Sequence, residues 1–314
     1  MHDKIPLYLV GGFLGSGKTT FIRSLMESMA DKKLGLLVNE FGSIGIDGTV
    51  LDCDGVQLVE INNGSIFCAC IKDSFVRTLK AFSEKPIDVL LIENSGMADP
   101  AGMRNILSDL KPYLERQYDY RGLITLVDCA TFLAYSEILL PVKNQVAEAD
   151  FIIVNKIDMA DAEKIKDIHS RIREYNSTAA IIDTVYAQIE LPLPELSHSS
   201  CKDELRTSNT PYSRPKVYTL ETCGDADIIQ LSDFCDLISS CALRIKGFVR
   251  NGNGWIHVDS VGYNVTVALA DLKLKIRLER GKLVIIGMNR RDIYSKIIDA
   301  WKESVGLDCK LTEE

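Results

Sequence analysis

The run Gly11-Gly12-Phe13-Leu14-Gly15-Ser16-Gly17-Lys18-Thr19-Thr20 contains the pattern G-x-x-x-x-G-K-T between Gly12 and Thr19. Gly12, Gly15 and Gly17 let successive backbone N–H groups turn inward at a helix N-terminus, where the dipole favours phosphate oxygens. Lys18 reaches toward the outer phosphates, and the Thr19 hydroxyl suits Mg²⁺. Such a loop has to be held between a strand and a helix. The apolar run Ile5 to Val10 enters it, and Phe21, Ile22, Leu25, Met26 and Met29 recur at helical spacing after it.

Three further stretches carry chemistry that belongs with a nucleotide. Asn155-Lys156-Ile157-Asp158 follows the apolar run Phe151–Val154. There Asp158 is placed to accept from the adjacent N–H donors on a guanine edge, while Lys156 lays its stem across the ring. Adenine lacks that donor pair, so a buried carboxylate would select against it. Asp88-Val89-Leu90-Leu91-Ile92-Glu93-Asn94-Ser95-Gly96 ends a buried strand with an acid, Glu93, that can serve Mg²⁺, and Gly96 frees a backbone N–H for the γ-phosphate. Asn39 to Gly48 is punctuated by glycines, as a loop ordered by γ-phosphate and Mg²⁺ would be. Glu40 or Asp47 in it is a candidate to orient the attacking water or hold the metal; a polar surface loop accounts for either residue equally well.

Asn62-Asn63-Gly64-Ser65-Ile66-Phe67-Cys68-Ala69-Cys70 holds two thiols. In extended chain Cys68 and Cys70 share a side, so they could clamp a soft or borderline cation such as Zn²⁺ or Co²⁺. Two ligands do not close a site, and on spacing alone two small buried apolar residues explain them better.

Around these motifs, strand-like runs alternate with helical ones through about residue 190: Leu34–Val38, Val56–Ile61, Ile87–Ile92, Leu123–Val127 and Ala179–Val185, with a helix over Lys72–Phe82. This predicts an α/β fold, a P-loop domain over 1–190 with a mainly parallel sheet flanked by helices. Residues 191–215, rich in proline and polar residues, read as a linker. Residues 216–314 predict a smaller α+β domain: a strand at Lys216–Leu220 and a helix over Ala226–Ser240 lead it. Strands at Ala242–Val249, Trp255–Val258, Tyr263–Ala268, Leu274–Leu278 and Lys282–Ile286 follow, and a helix over Asp292–Val305 ends it.

The chain has 314 residues, a net charge of −8 and 46% hydrophobic content. That charge argues against nucleic acid or an anionic membrane as principal partner. No apolar run reaches the roughly 18 residues that span a bilayer. The nine cysteines show no framework spacing, so reduced thiols in a cytoplasmic protein are expected.

Taken together, Gly11–Thr20, Asn39–Asp47, Asn62–Cys70, Ile92–Pro100 and Asn155–Asp158 resemble the CobW/UreG/HypB group of P-loop GTPases, CobW-like proteins most closely. Leu243-Arg244-Ile245-Lys246-Gly247-Phe248 is similar to the start of a CobW-type C-terminal domain. The resemblance implies that Gly12 to Thr20 bind a triphosphate, that Thr19 and Glu93 serve Mg²⁺, and that Asn155, Lys156 and Asp158 bind guanine. It also carries departures. The family's Cys-x-Cys-Cys is broken by Ser65 and Phe67, the family's acidic residue after the NEFG stretch is Ser43, and the four histidines are not clustered.

The expectation is a GTPase of slow turnover that helps insert metal or a corrinoid cofactor into a client enzyme, with GTP or GDP and Mg²⁺ bound, Zn or Co as cargo, and a homodimer as one possible assembly. Two other readings stand beside it: a nucleotide-gated chaperone of a corrinoid protein or methyltransferase without metal transfer, and a P-loop kinase of a small molecule.

Overall fold

The computed structural model describes residues 4–40, 56–62, 72–96, 102–189, 215–252, 254–270, 280–288 and 292–313. The chain forms two compact units, Met1–Asn209 and Thr210–Glu314.

The first unit is built on β1 (Ile5–Gly12), α1 (Lys18–Ser28), β2 (Leu34–Glu40), β3 (Val56–Asn62), α2 (Lys72–Ser83), β4 (Val89–Glu93), α3 (Met103–Leu110), β5 (Tyr118–Asp128), α4 (Phe132–Ile138), α5 (Leu140–Glu148), β6 (Phe151–Asn155), α6 (Ala162–Tyr175) and β7 (Ala180–Thr184). Its seven strands lie in the order β3-β2-β4-β1-β5-β6-β7, and every pairing is parallel. Alternation along β1 explains the layering. Ile5, Leu7 and Leu9 pack with Phe75, Leu79 and Phe82 of α2 and Met103, Ile106 and Leu110 of α3. Tyr8 and Val10 point the other way, onto Phe21, Ile22, Leu25 and Met26 of α1. Both faces are therefore dry, which is why the central strands are continuously apolar. The parallel stack brings the ends of β1, β4, β5 and β6 to one edge, where open α/β sheets bind ligands.

The second unit contains β8 (Lys216–Thr222), α7 (Ile228–Ile238), β9 (Ala242–Asn251), β10 (Gly254–Val261), β11 (Asn264–Leu269), β12 (Gly281–Gly287), α8 (Ile293–Ser304) and β13 (Cys309–Glu313). Its antiparallel sheet runs β11-β10-β9-β12-β8-β13. Helix α7 starts with a reciprocal cap: the Gln230 N–H donates to Asp227 Oδ1 at 2.8 Å, and the Asp227 N–H donates to Gln230 Oε1 at 2.9 Å. Phe234 and Trp301, crossed edge to face at 5.1 Å, lock α7 and α8 over Leu220, Ile245, Ile256 and Leu283.

Strand β13 escapes the sequence reading because CKLTE is short, mixed in polarity and on the sheet edge, with only Leu311 buried. The expected strand Leu274–Leu278 lies outside the described residues, as do residues 191–214 of the expected linker.

Candidate functional site

The phosphate loop follows directly from β1. Gly12, Gly15 and Gly17 have φ of 135°, 73° and 103°, the left-handed region that disfavours side chains. Space is equally decisive. A Cβ on Gly12 would sit 2.5 Å from the Leu126 carbonyl oxygen, and one on Gly17 would sit 2.5 Å from Asn155 Nδ2. Lys18 opens α1, is buried, and donates from Nζ to the Phe13 carbonyl at 3.1 Å, so its charge lies within the loop.

Thr19 and Glu93 meet. Thr19 Oγ1 donates to Glu93 Oε1 at 3.4 Å, across the register that sets Val10 beside Glu93. Ser16 Oγ and both side-chain amide atoms of Asn94 are buried without a hydrogen-bond partner among the described residues. Buried polar atoms are ordinarily satisfied, so these are the right kind of groups to face a phosphate and a hydrated Mg²⁺. Gly96 packs so tightly on Leu14 that a Cβ would come within 2.6 Å of its Cδ2. The Gly96 carbonyl accepts from Gln145 Nε2 of α5 at 3.2 Å.

The corner at the end of β6 is joined to the loop by one side chain. Asn155, at the end of β6, donates from Nδ2 to the Ser16 carbonyl at 2.9 Å and accepts from the Ala187 N–H at 2.8 Å. Lys156 next to it has φ 64° and donates from Nζ to Asp128 Oδ2 at 2.6 Å. Asp128 is buried at the end of β5, and its Oδ1 accepts from the Ala130 N–H at 2.8 Å. Asp158 stands exposed in the short turn Ile157–Met159. Among the described residues, three non-glycine residues have positive φ: Lys156, Tyr186 at 54° and Ala187 at 55°. All three belong to this corner, at about 1–3 kcal/mol of backbone strain each. Beside them, burial and the neighbouring Asp128 push the Cys129 thiol up to about 11.

The structure thus brings together Gly12, Gly15, Ser16, Gly17, Lys18, Thr19, Glu93, Gly96 and Asn155, with Lys156 and Asp158 on the adjoining turn. Thr20 lies one residue further into α1. Glu40 ends β2 in the backbone, but its side chain lies outside the described residues, as do Asp47, Cys68 and Cys70. Among the described residues no group of three or more His, Cys, Asp or Glu side chains is arranged to hold a metal. Sequence reasoning missed Asp128, Asn94, Gln145 and the turn at Tyr186–Ala187. Asp128 had a readable signal, because it closes the apolar run Leu123–Val127 as Glu93 closes its own. The other three had none.

Relatives are known. The chain is 31% identical over 206 residues to the zinc chaperone CobW of a Sinorhizobium species, covering 56% of this chain and 57% of that protein. It is 26% identical over 245 residues to the zinc-regulated GTPase metalloprotein activator 1 of Dictyostelium discoideum, covering 67% and 51%. The chain thus spans little more than half the length of these curated relatives. The crystal structure of the Zn(II)-bound YjiA GTPase from E. coli resembles it with a TM-score of 0.47 and 20% identity, over 96% of this chain and 99% of that one. Residues 6–183, more than half of the sequence, match the CobW/HypB/UreG nucleotide-binding domain, and the chain belongs to that family.

Proposed function

We propose that this protein is a GTP-binding and GTP-hydrolysing metallochaperone that delivers a metal, zinc first among the candidates, to a client metalloenzyme. The observation that carries the proposal is Asn155, which directly precedes the Lys156–Asp158 turn and whose one amide bonds both Ser16 of the phosphate loop and Ala187. Gly12 to Thr20 bind the phosphates, Asp158 reads guanine, and the stem of Lys156 lies along the base while Asp128 holds its ammonium group. Lys18 offsets charge on the transferring phosphoryl group. Thr19 and Glu93 hold Mg²⁺, which when bound neutralises charge on the phosphate oxygens. Glu40 and Asp47 are candidates for orienting the water, and Cys68 and Cys70 for gripping the cargo. The names of the relatives support a zinc cargo.

In this reading residues 1–190 form the GTPase, 191–215 the linker, and 216–314 a domain that selects the client, in a cytoplasmic protein. Among the described residues no helix is long and apolar enough to cross a membrane. Ser65 and Phe67, standing where the family carries cysteines, favour a second reading: a nucleotide-gated chaperone, of a corrinoid protein for example, that moves no metal.

Calorimetric titration with GDP and ADP, each with Mg²⁺, tests the nucleotide. GDP should bind at least 100-fold tighter, and Asp158→Ala should erase the difference; equal affinities in the native protein would end the proposal. Zn²⁺ titration of the GTP- and GDP-bound forms separates the two readings. Delivery requires different affinities in the two states, by the factor with which Zn²⁺ alters GTP binding relative to GDP binding.

A further inference from the structure

The turn after β7 is built against its own sequence. The Gln188 N–H donates to the Val185 carbonyl at 3.3 Å, closing a tight turn whose central residues, Tyr186 and Ala187, both have positive φ. That turn type ordinarily takes Asn and Gly. Ala187 has a visible reason to be there: it is fully buried, and its N–H holds Asn155 Oδ1 at 2.8 Å. Tyr186 has no such reason within the fold, because the residue is 72% exposed. A large aromatic ring is held in solvent on a strained backbone.

Its position supplies the reason. Strands β6 and β7 are parallel neighbours with Asn155 opposite Thr184. The chain then leaves both strands at the same edge, through Lys156 after β6 and through Val185, Tyr186 and Ala187 after β7, and the Ala187 N–H bond to Asn155 Oδ1 holds the second turn beside the first. Strain of this kind persists where the surroundings enforce it and collects at ligand sites. Aromatic rings are the usual platform for a nucleobase.

We propose that Tyr186 is a base-stacking residue of the nucleotide site, its ring covering the purine that Asp158 reads at the edge. This rests on the guanine-site reading above and adds a residue to it. Stacking carries sequence-tolerant affinity, so Tyr186 contributes tightness while Asp158 contributes selectivity.

The test compares Tyr186→Asn and Tyr186→Phe with the native protein in GDP and tripolyphosphate titrations and in thermal unfolding without nucleotide. Tyr186→Asn should weaken GDP roughly tenfold. It should leave tripolyphosphate affinity unchanged and raise the melting temperature, because Asn accepts the turn's backbone. Tyr186→Phe should bind GDP like the native protein. GDP affinity within twofold of native in Tyr186→Asn overturns the proposal, as does a parallel loss of tripolyphosphate affinity. A native protein that binds tripolyphosphate but prefers neither GDP nor ADP removes the guanine site itself, and this proposal with it.

Discussion

Lys156 and Asp128 form a 2.6 Å ion pair in which the carboxylate is 3% exposed and the ammonium-bearing side chain 31%. The pair ties the ends of β5 and β6 to each other, and in the proposed guanine site it would set where the lysine stem lies along the base. Asp128→Ala should weaken GDP binding about 5- to 30-fold, on the scale of one charge-assisted hydrogen bond in a partly solvated site. Tripolyphosphate binding should be untouched. A calorimetric GDP titration that matches the native protein would remove Asp128 from the site.

Glu93→Gln keeps the shape of the β4 end and removes its charge. GTP hydrolysis in Mg²⁺ should fall at least tenfold, and the Mg²⁺ concentration for half-maximal activity should rise. GDP affinity in EDTA should not change. A steady-state Mg²⁺ titration of the two proteins reads both effects, and an unaltered Mg²⁺ requirement would detach Glu93 from the metal.

Gly17→Ala places a Cβ 2.5 Å from Asn155 Nδ2 on a backbone with φ 103°. The amide must give way, and with it the bond to Ser16. Loss of GDP binding and a destabilisation of about 2–4 kcal/mol are expected. Denaturant unfolding with and without GDP checks this: the native protein gains stability from GDP and the variant does not.

Gly247→Ala probes the second unit. A Cβ there would stand 2.0 Å from the Lys282 carbonyl oxygen, so β9 and β12 could not keep their spacing. Substantial unfolding of 210–314 is expected by hydrogen exchange. Amide protection in β9 and β12 equal to that of the native protein would contradict it.

Alkaline pH should destabilise the first unit through Cys129. Its thiol is pushed from 9.0 up to about 11, first by burial and then by Asp128. Between those values the unfolded chain releases a proton that the folded chain keeps, so stability falls as pH rises from about 9 to 11. Cys129→Ala should flatten that part of the pH–stability curve, and the exposed Cys223 should react with iodoacetamide long before Cys129 does.

Much of this architecture was legible because its signals are local. Gly12 to Thr19 states its own loop, and continuous apolar runs announced strands buried on both faces. The Thr19–Glu93 and Asn155 positions were readable because a strand end and a helix start fix them within a residue or two. What the sequence concealed depends on contacts between distant segments. That Asp128 meets Lys156 follows from β5 and β6 being neighbours, and Asn155 reaches Ala187 because β7 lies next. The strain at Tyr186 is hidden for a different reason: Val-Tyr-Ala-Gln holds no Gly, Asn or Asp, so nothing in it signals a left-handed turn. Edge strand β13 was missed because the neighbouring β8 defines it more than its own residues do.

The Asn155 amide also has a consequence for how the molecule fails. A single protease cut in the exposed turn at Tyr186 would sever the chain beside the N–H that anchors Asn155. The phosphate loop, far away along the chain, would lose its brace at the same stroke. A nucleotide stacked there as proposed would protect both, and the rate of nicking would then gauge how full the site is.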